Sequence, residues 1–288
     1  VAAPPDNDVL WARGLHYSYG GSPALQGVSI GVQAGEIVSV TGPRGSGKST
    51  LLSCLSGQLT PNAGEIWFNS VPMHTLSRTA RERLRRDRFG WVGSEPQLIP
   101  ELTAWENAAM PLLLLGAGHR AARKAAIDWL DRLDVGDCAR KRPSALLQSE
   151  RQHVAIARAL APAPAIVFAD EPTAPLHQVE RAQVLRTLTT AARSHNITVV
   201  LTTHDPAVML PKVTAGDPFA ADAAGPTLVD RNLTLVDGRL NGLVSSGPGR
   251  DASDGTDGDG GTGGEKVAAS GTDSDGEDSK GAACSLSV

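Results

Sequence analysis

The stretch Gly42-Pro43-Arg44-Gly45-Ser46-Gly47-Lys48-Ser49-Thr50 fills the spacing G-x-x-x-x-G-K-[ST] with Gly42, Gly47, Lys48 and Ser49. Glycines in such a loop let consecutive backbone N–H groups turn inward around phosphate oxygens. Lys48 offers a point charge to β- and γ-phosphates, Ser49 offers its hydroxyl to Mg²⁺, and a helix opening near Lys48 adds the positive end of its dipole. The motif carries weight only between a strand and a helix. Upstream, Glu36-Ile37-Val38-Ser39-Val40-Thr41 reads as a short strand, and downstream Ser49-Thr50-Leu51-Leu52-Ser53-Cys54-Leu55 reads as a helix. The chain is therefore expected to bind a nucleoside triphosphate, with residues 42–50 as its phosphate cradle.

Other apolar runs at Ala165–Ala169 and Ile197–Thr202 are short, β-branched and bounded by loops, as buried parallel strands are. Between the loop and the Ala165–Ala169 run lies a long helical stretch. Thr79–Arg88 is basic, Trp105–Leu115 is apolar with Thr103 as its expected cap, and Ala121–Leu133 is amphipathic. Such an insertion implies a helical subdomain projecting from an α/β core. The six arginines from Arg78 to Arg88 are interleaved with no aromatic residue, so they read as a solvated helix face rather than a nucleic-acid surface.

The second run ends at Asp170-Glu171, delivering two carboxylates to a strand end, where α/β sheets place their ligands. Asp170 suits Mg²⁺ through water, and Glu171 suits orientation or deprotonation of an attacking water. The third run ends at Thr202-Thr203-His204, where His204 is placed to reach the γ-phosphate and that water.

From Ser245 to Val288 large apolar residues almost vanish, and nine Asp or Glu face three Lys or Arg. The segment is expected to be a disordered acidic tail. It carries −6 of the formal net charge of −4, leaving +2 on the body, which argues against nucleic acid as the main partner. Cys54, Cys138 and Cys284 form neither a metal pattern nor a disulfide framework. No stretch reaches the roughly 18 apolar residues needed to span a bilayer. With Pro4, Pro5, Asp6 and Asp8 near its start, the sequence shows no signal-peptide pattern, so a cytoplasmic location is expected.

Taken in order, these motifs resemble the nucleotide-binding domain of ATP-binding cassette (ABC) transporters, over about Leu10 to Leu243. The segments that carry the resemblance are Val154-Ala155-Ile156-Ala157-Arg158-Ala159-Leu160, Ala169-Asp170-Glu171-Pro172-Thr173, Thr203-His204-Asp205-Pro206 and Val236-Asp237-Gly238-Arg239. Leu102-Thr103-Ala104-Trp105-Glu106-Asn107, followed by Pro111-Leu112-Leu113-Leu114, is similar to the branch of lipoprotein-releasing, macrolide-export and cell-division ATPases. The resemblance implies a P-loop NTPase with an ABC-type α/β core, an N-terminal antiparallel β subdomain and a helical signature subdomain at about 75–160. The cassette would span 10–244, with an extension at 1–9 and the tail at 245–288. It also implies ATP and Mg²⁺ as ligands, Ser49 and Asp170 toward the metal, Glu171 and His204 as catalytic groups, and Tyr19 as an adenine-stacking residue. Tyr17 competes for that last role. The implied partners are a membrane permease, on whose cytoplasmic side the chain would sit, and a second ABC subunit, different or identical.

Three departures stand out against that resemblance. Aligned on Arg158, Leu147, Gln148 and Ser149 replace the serine and the two glycines of the family signature. Ser94 replaces a glutamine after Gly90-Trp91-Val92, and His177 replaces an aspartate after Asp170-Glu171-Pro172-Thr173. Leu147 has no hydroxyl for a γ-phosphate, and Gln148 and Ser149 each add a Cβ where backbone must come close. All three departures fall on partner-facing surfaces, so the expectation is an ATP-hydrolysing chain in an unequal pair of sites. The alternatives are a slow ATP-dependent clamp on a membrane partner and a soluble ABC protein acting on nucleic acid. Met209–Thr227 is expected to be an inserted loop, and Arg44 to point to solvent.

Overall fold

A computed structural model describes residues 8–204 and 228–245. In chain order the elements are β1 (Asp8–Tyr19), β2 (Ser22–Gln33), β3 (Ile37–Thr41), α1 (Lys48–Leu55), β4 (Ala63–Phe68) and β5 (Val71–Pro72). There follow α2 (Arg78–Arg88), β6 (Phe89–Val92), α3 (Ala104–Leu114), α4 (His119–Arg132) and α5 (Gln148–Leu160). The last are β7 (Ile166–Asp170), α6 (Gln178–Ser194), β8 (Thr198–Thr203), β9 (Arg231–Val236) and β10 (Arg239–Ser245). The insertion at 209–227, Asp205, Pro206, Cys284, and the tail beyond Ser245 lie outside the described residues, as does the extension before Asp8.

Two sheets organise the fold. The N-terminal sheet is antiparallel in the order β2-β1-β4-β5, and the core sheet runs β10-β9-β3-β8-β7-β6. In the core sheet β9, β3, β8, β7 and β6 are parallel, and among the described residues only β10 is antiparallel. Residues of the parallel strands alternate between two cores, because side chains on a strand point to opposite faces. Val38, Val40, Phe168 and Val200 face α1 and the antiparallel sheet, together with Leu10, Leu52 and Ile66. Ile37, Val167, Ala169, Val199 and Leu201 face the helices, together with Ile156, Leu130 and Leu188. A sheet buried on both faces reads in sequence as a near-continuous apolar run, which is why these strands were legible.

The helical segments form as their caps and patterns require. In α3, Glu106 accepts from the Thr103 backbone N–H at 2.8 Å and from the Thr103 hydroxyl at 2.6 Å. These donors hold the Glu106 carboxyl below the usual carboxylate range, against a small opposing effect of burial. The boundary expected for the helical subdomain needs correction. Within the stretch 75–160, β6 pairs with β7 in the core sheet, and α2 is tied to the turn after α1. There Arg85 Nη1 donates to the Gly57 carbonyl at 2.8 Å, and Arg81 donates to the Thr60 hydroxyl. The physical reason is that Phe89 and Leu84 pack against the core shared by α1 and the antiparallel sheet. The helical layer proper is α3, α4 and α5. Among the described residues no helix is long and apolar enough to cross a membrane.

Candidate nucleotide-binding site

The parallel register brings the motifs together. Thr41 at the end of β3 lies opposite Thr203 of β8, and Asp170 at the end of β7 lies opposite Thr202. The loop after β3, the carboxylates at the end of β7 and His204 after β8 therefore open on one edge of the sheet, adjacent in space although the carboxylates and the histidine follow the loop by about 120 and about 155 residues.

The loop 42–50 is shaped by its glycines. Gly42 (φ 154°) and Gly47 (φ 102°) lie in the region that side chains disfavour. A Cβ at Gly42 would stand 2.1 Å from the Leu235 carbonyl oxygen, and one at Gly47 would stand 2.3 Å from that of Ala24. Both β9 and β2 thus press on the loop from outside, and only glycine lets it close. α1 then starts at Lys48, with Gly47 as its cap residue. Pro43, Arg44 and Gly45 are exposed, so Arg44 faces solvent as expected.

Lys48 is almost fully buried, at 4% exposure. Its ammonium donates to the carbonyls of Gly42 and Pro43 at 2.9 Å each and lies 3.3 Å from Glu171 Oε1. The second oxygen of Glu171 meets His204 Nδ1. Ser49 donates its hydroxyl to Asp170 Oδ1 at 3.0 Å. The backbone of Glu171 is left-handed, with φ 46°, a conformation that costs a non-glycine residue on the order of 1–2 kcal/mol. Such outliers persist where the surroundings over-determine them, as they do here.

These groups fit a magnesium triphosphate. The Ser46 hydroxyl oxygen is buried inside the loop with no hydrogen-bond partner, a group that a phosphate oxygen would satisfy. A hydroxyl and a carboxylate, Ser49 and Asp170, are hard oxygen donors of the kind Mg²⁺ prefers, with phosphates completing its shell. Among the described residues no group of three or more His, Cys, Asp or Glu is placed to hold a metal unaided, so any cation here depends on that completion. Tyr19 is 54% exposed, and its hydroxyl lies 3.5 Å from Thr50 Oγ1. Tyr17 packs edge-on against it at 4.9 Å and leans on the core. Of the two tyrosines, Tyr19 offers the freer ring beside the loop.

The three departures sit elsewhere. Leu147 is 69% exposed at the start of α5, and its N–H donates to Glu150 Oε2 at 2.7 Å. Gln148, Ser94 and His177 are also open to solvent, and Ser149 is half-buried. Among the described residues no hydrogen bond joins Leu147, Gln148 or Ser149 to the loop 42–50. Sequence reading missed the residues that hold these segments in place. Gln152, fully buried, donates to the Gly93 carbonyl at 3.0 Å. Arg158 donates to the Pro96 and Gln97 carbonyls at 2.8 Å each. Cys138 donates its thiol to Glu150 Oε1 at 3.0 Å. That thiol and the Leu147 N–H hold the Glu150 carboxyl below the usual range. Cys54 is enclosed, and burial pushes its thiol up to about 12. Nothing in the local sequence marks these contacts, since each joins segments that only packing brings together.

A phosphate loop on β3, an acidic pair ending the neighbouring parallel strand β7 and a histidine ending β8 define a P-loop nucleotide-binding cassette. The chain matches the family described as ABC transporter over residues 25–174, and it belongs to that family. It is 41% identical over 193 residues to an uncharacterized ABC transporter ATP-binding protein of Mycobacterium tuberculosis, the match covering 66% of this chain and 58% of that protein. The chain thus spans little more than half the length of that relative. It is 38% identical to the lipoprotein-releasing system ATP-binding protein LolD 2 of Caulobacter vibrioides, over 68% of this chain and 88% of the relative. Among solved structures, the dimeric post-hydrolysis state of the ATP-binding cassette MJ0796 bound to ADP and Pi superposes with a TM-score of 0.69. Its identity is 30%, over 82% of this chain and 98% of that one.

Proposed function

We propose that this chain is the ATP-binding and ATP-hydrolysing subunit of an export-type ABC transporter. It works on a separate membrane permease from the cytoplasmic side and is paired with a second cassette subunit. The observation that carries the reading is the convergence of Lys48, Ser49, Asp170, Glu171 and His204 on one sheet edge. Similarity to LolD 2 supports the export branch, and the post-hydrolysis dimer of MJ0796 supports a paired, ATP-consuming cassette. Residues 10–244 form the cassette in this reading.

The residues take distinct tasks. The loop 42–50 and Lys48 hold the phosphates, Ser49 and Asp170 hold the cation, and Tyr19 lies against the base. Bound Mg²⁺ supplies neutralisation of charge on the transferring phosphoryl group. Glu171 accepts the proton of the attacking water, and His204 fixes the Glu171 carboxylate through Nδ1. Phosphoryl transfer depends on positioning and electrostatics rather than covalent help.

The exposed Leu147 favours an unequal pair. A chain that lacks the hydroxyl and the two glycines at 147–149 has less to offer a nucleotide held by its partner, while its own loop keeps every group. We infer that a different subunit, carrying an intact serine and glycines there, completes the working site. The test is the rate of ATP hydrolysis by the purified chain alone and with the candidate partner subunit. Stimulation on mixing, abolished by Glu171→Gln in this chain, is expected. Full turnover by the chain alone, at the mixed rate, would refute the unequal pair.

A further inference from the structure

Thr202 occupies the position opposite Asp170 in the pairing of β8 with β7, and it is completely buried. Its hydroxyl donates to Asp170 Oδ1 at 2.8 Å and accepts from the Glu171 backbone N–H at 3.0 Å. One hydroxyl therefore holds both acidic residues, the first by its side chain and the second by its backbone. The bond to the backbone falls at the residue in the left-handed conformation, φ 46°. We propose that Thr202 is a positioning residue for ATP hydrolysis, setting the rotamer of Asp170 toward Mg²⁺ and the backbone of Glu171 toward water. The inference rests on the functional reading above and adds a residue to it.

The reasoning is one of competing donors. Asp170 Oδ1 receives two hydroxyls, from Ser49 at 3.0 Å and from Thr202. Among the described residues Oδ2 receives none. Ser49 is itself assigned to the cation, and a hydroxyl that turns its lone pair to a metal no longer restrains Asp170 in the same way. Thr202 has no such second duty, because its enclosed hydroxyl has its proton on Asp170 and a lone pair on Glu171. It is the donor that keeps Asp170 aimed throughout. Hydrogen bonds to ionised groups are stronger than neutral ones, and removing this one would also leave the Glu171 N–H unpaired beside a buried valine. The three buried residues that precede it in β8, Val199, Val200 and Leu201, are apolar, so burial alone does not call for a hydroxyl at this place.

The experiment compares Thr202→Val, which keeps the shape, with Thr202→Ser, which keeps the hydroxyl. Binding of Mn²⁺ in the presence of ADP is followed by electron paramagnetic resonance, together with metal-free ADP affinity, kcat, KM and thermal melting. In the valine variant Mn²⁺ affinity is expected to fall about tenfold and kcat by about tenfold or more, from the loss of a charge-assisted bond. Metal-free ADP affinity should stay within about twofold, because the phosphate loop is untouched. The serine variant should restore both losses, which a purely structural role would not require. A folded valine variant with wild-type Mn²⁺ affinity and kcat would overturn the role. So would a well-folded serine variant as impaired as the valine one. Absence of ADP-dependent Mn²⁺ binding in the unaltered chain would instead overturn the functional reading, and this role with it.

Discussion

The ammonium of Lys48 lies 3.3 Å from Glu171 Oε1 while donating to the carbonyls of Gly42 and Pro43 at 2.9 Å. All three of its N–H donors are engaged, and one of them faces the proposed general base. Phosphate oxygens that reach Lys48 compete with Glu171 for it, so binding and release of the base are coupled. Glu171→Gln is expected to keep ATP affinity at or slightly above the wild-type value and to lower kcat by about 100-fold or more, the range of a lost general base. Lys48→Ala should weaken ATP binding by more than about tenfold, as loss of a charged contact does. Equilibrium binding and steady-state turnover on both variants check the pair. Equal loss of binding in both would contradict the division of roles.

Restoring the altered segment tests the unequal pair directly. In a Glu171→Gln background, which should trap ATP, the chain with Leu147, Gln148 and Ser149 as they stand is expected to remain monomeric when ATP is added. Leu147→Ser with Gln148→Gly and Ser149→Gly should produce an ATP-dependent dimer by size-exclusion chromatography. Leu147 and Gln148 are exposed and Ser149 is half-buried, so the three changes should shift stability by no more than about 1 kcal/mol apiece, with the glycines in the first turn of α5 the costlier. ATP-dependent dimers of the unrestored chain would count against the proposal.

His153 predicts an acid-sensitive α5. It is 6% exposed, and its Nε2 has no partner. Burial pushes its pKa down, outweighing the Ser149 backbone hydrogen bond and the charges of Asp134, Glu150 and Glu180 that act the other way. An unfolded histidine titrates near about 6.5, so the unfolded state takes up the proton first as pH falls. Stability is thus complete above that value and declines below it. The melting temperature of the wild type should drop as pH falls below about 6.5, and His153→Phe should flatten that decline. Glu106 and Glu150, held below the usual carboxylate range, lose their contributions only at lower pH, so the windows separate. Identical pH profiles for the two proteins would rule this out.

Asn107 fastens the loop before α3. Fully buried, it accepts from the Ile99 N–H at 2.8 Å and donates to the carbonyls of Ile99, Leu102 and Thr103 at 3.0 to 3.2 Å. Asn107→Leu would leave four backbone groups without this partner and should cost about 2–4 kcal/mol. Urea denaturation would show the shift, and hydrogen exchange should rise first at 99–103. A loss below about 0.5 kcal/mol, the scale of an ordinary surface change, would mean that water replaces the amide.

Much of the site was legible because its chemistry dictates residue type at fixed spacing. In the proposed function Gly42, Gly47, Lys48 and Ser49 each supply what a phosphate cradle needs, and the buried parallel strands announce themselves as apolar runs on either side. Asp170 and Glu171 were readable for the same reason, as acids ending such a run. Asn107 and Gln152 were not. Each is a polar residue within a helix, and its meaning lies in a carbonyl several to some sixty residues away. The extent of the helical layer was also misjudged, since α2 and β6 join the core through Phe89 and Leu84, two ordinary apolar residues whose destination no periodicity specifies.

The chemistry of the candidate site is written locally: a phosphate loop, an acidic pair and a histidine, each set by local backbone demands and by side-chain function. The alignment of strand ends that lets Lys48 meet Glu171 and Thr202 bridge Asp170 and Glu171 emerges only in the folded chain. Those contacts depend on parallel register between strands separated by helices and loops. Register is fixed by the packing of two hydrophobic cores against the two faces of one sheet, a property of the whole chain that no short stretch contains.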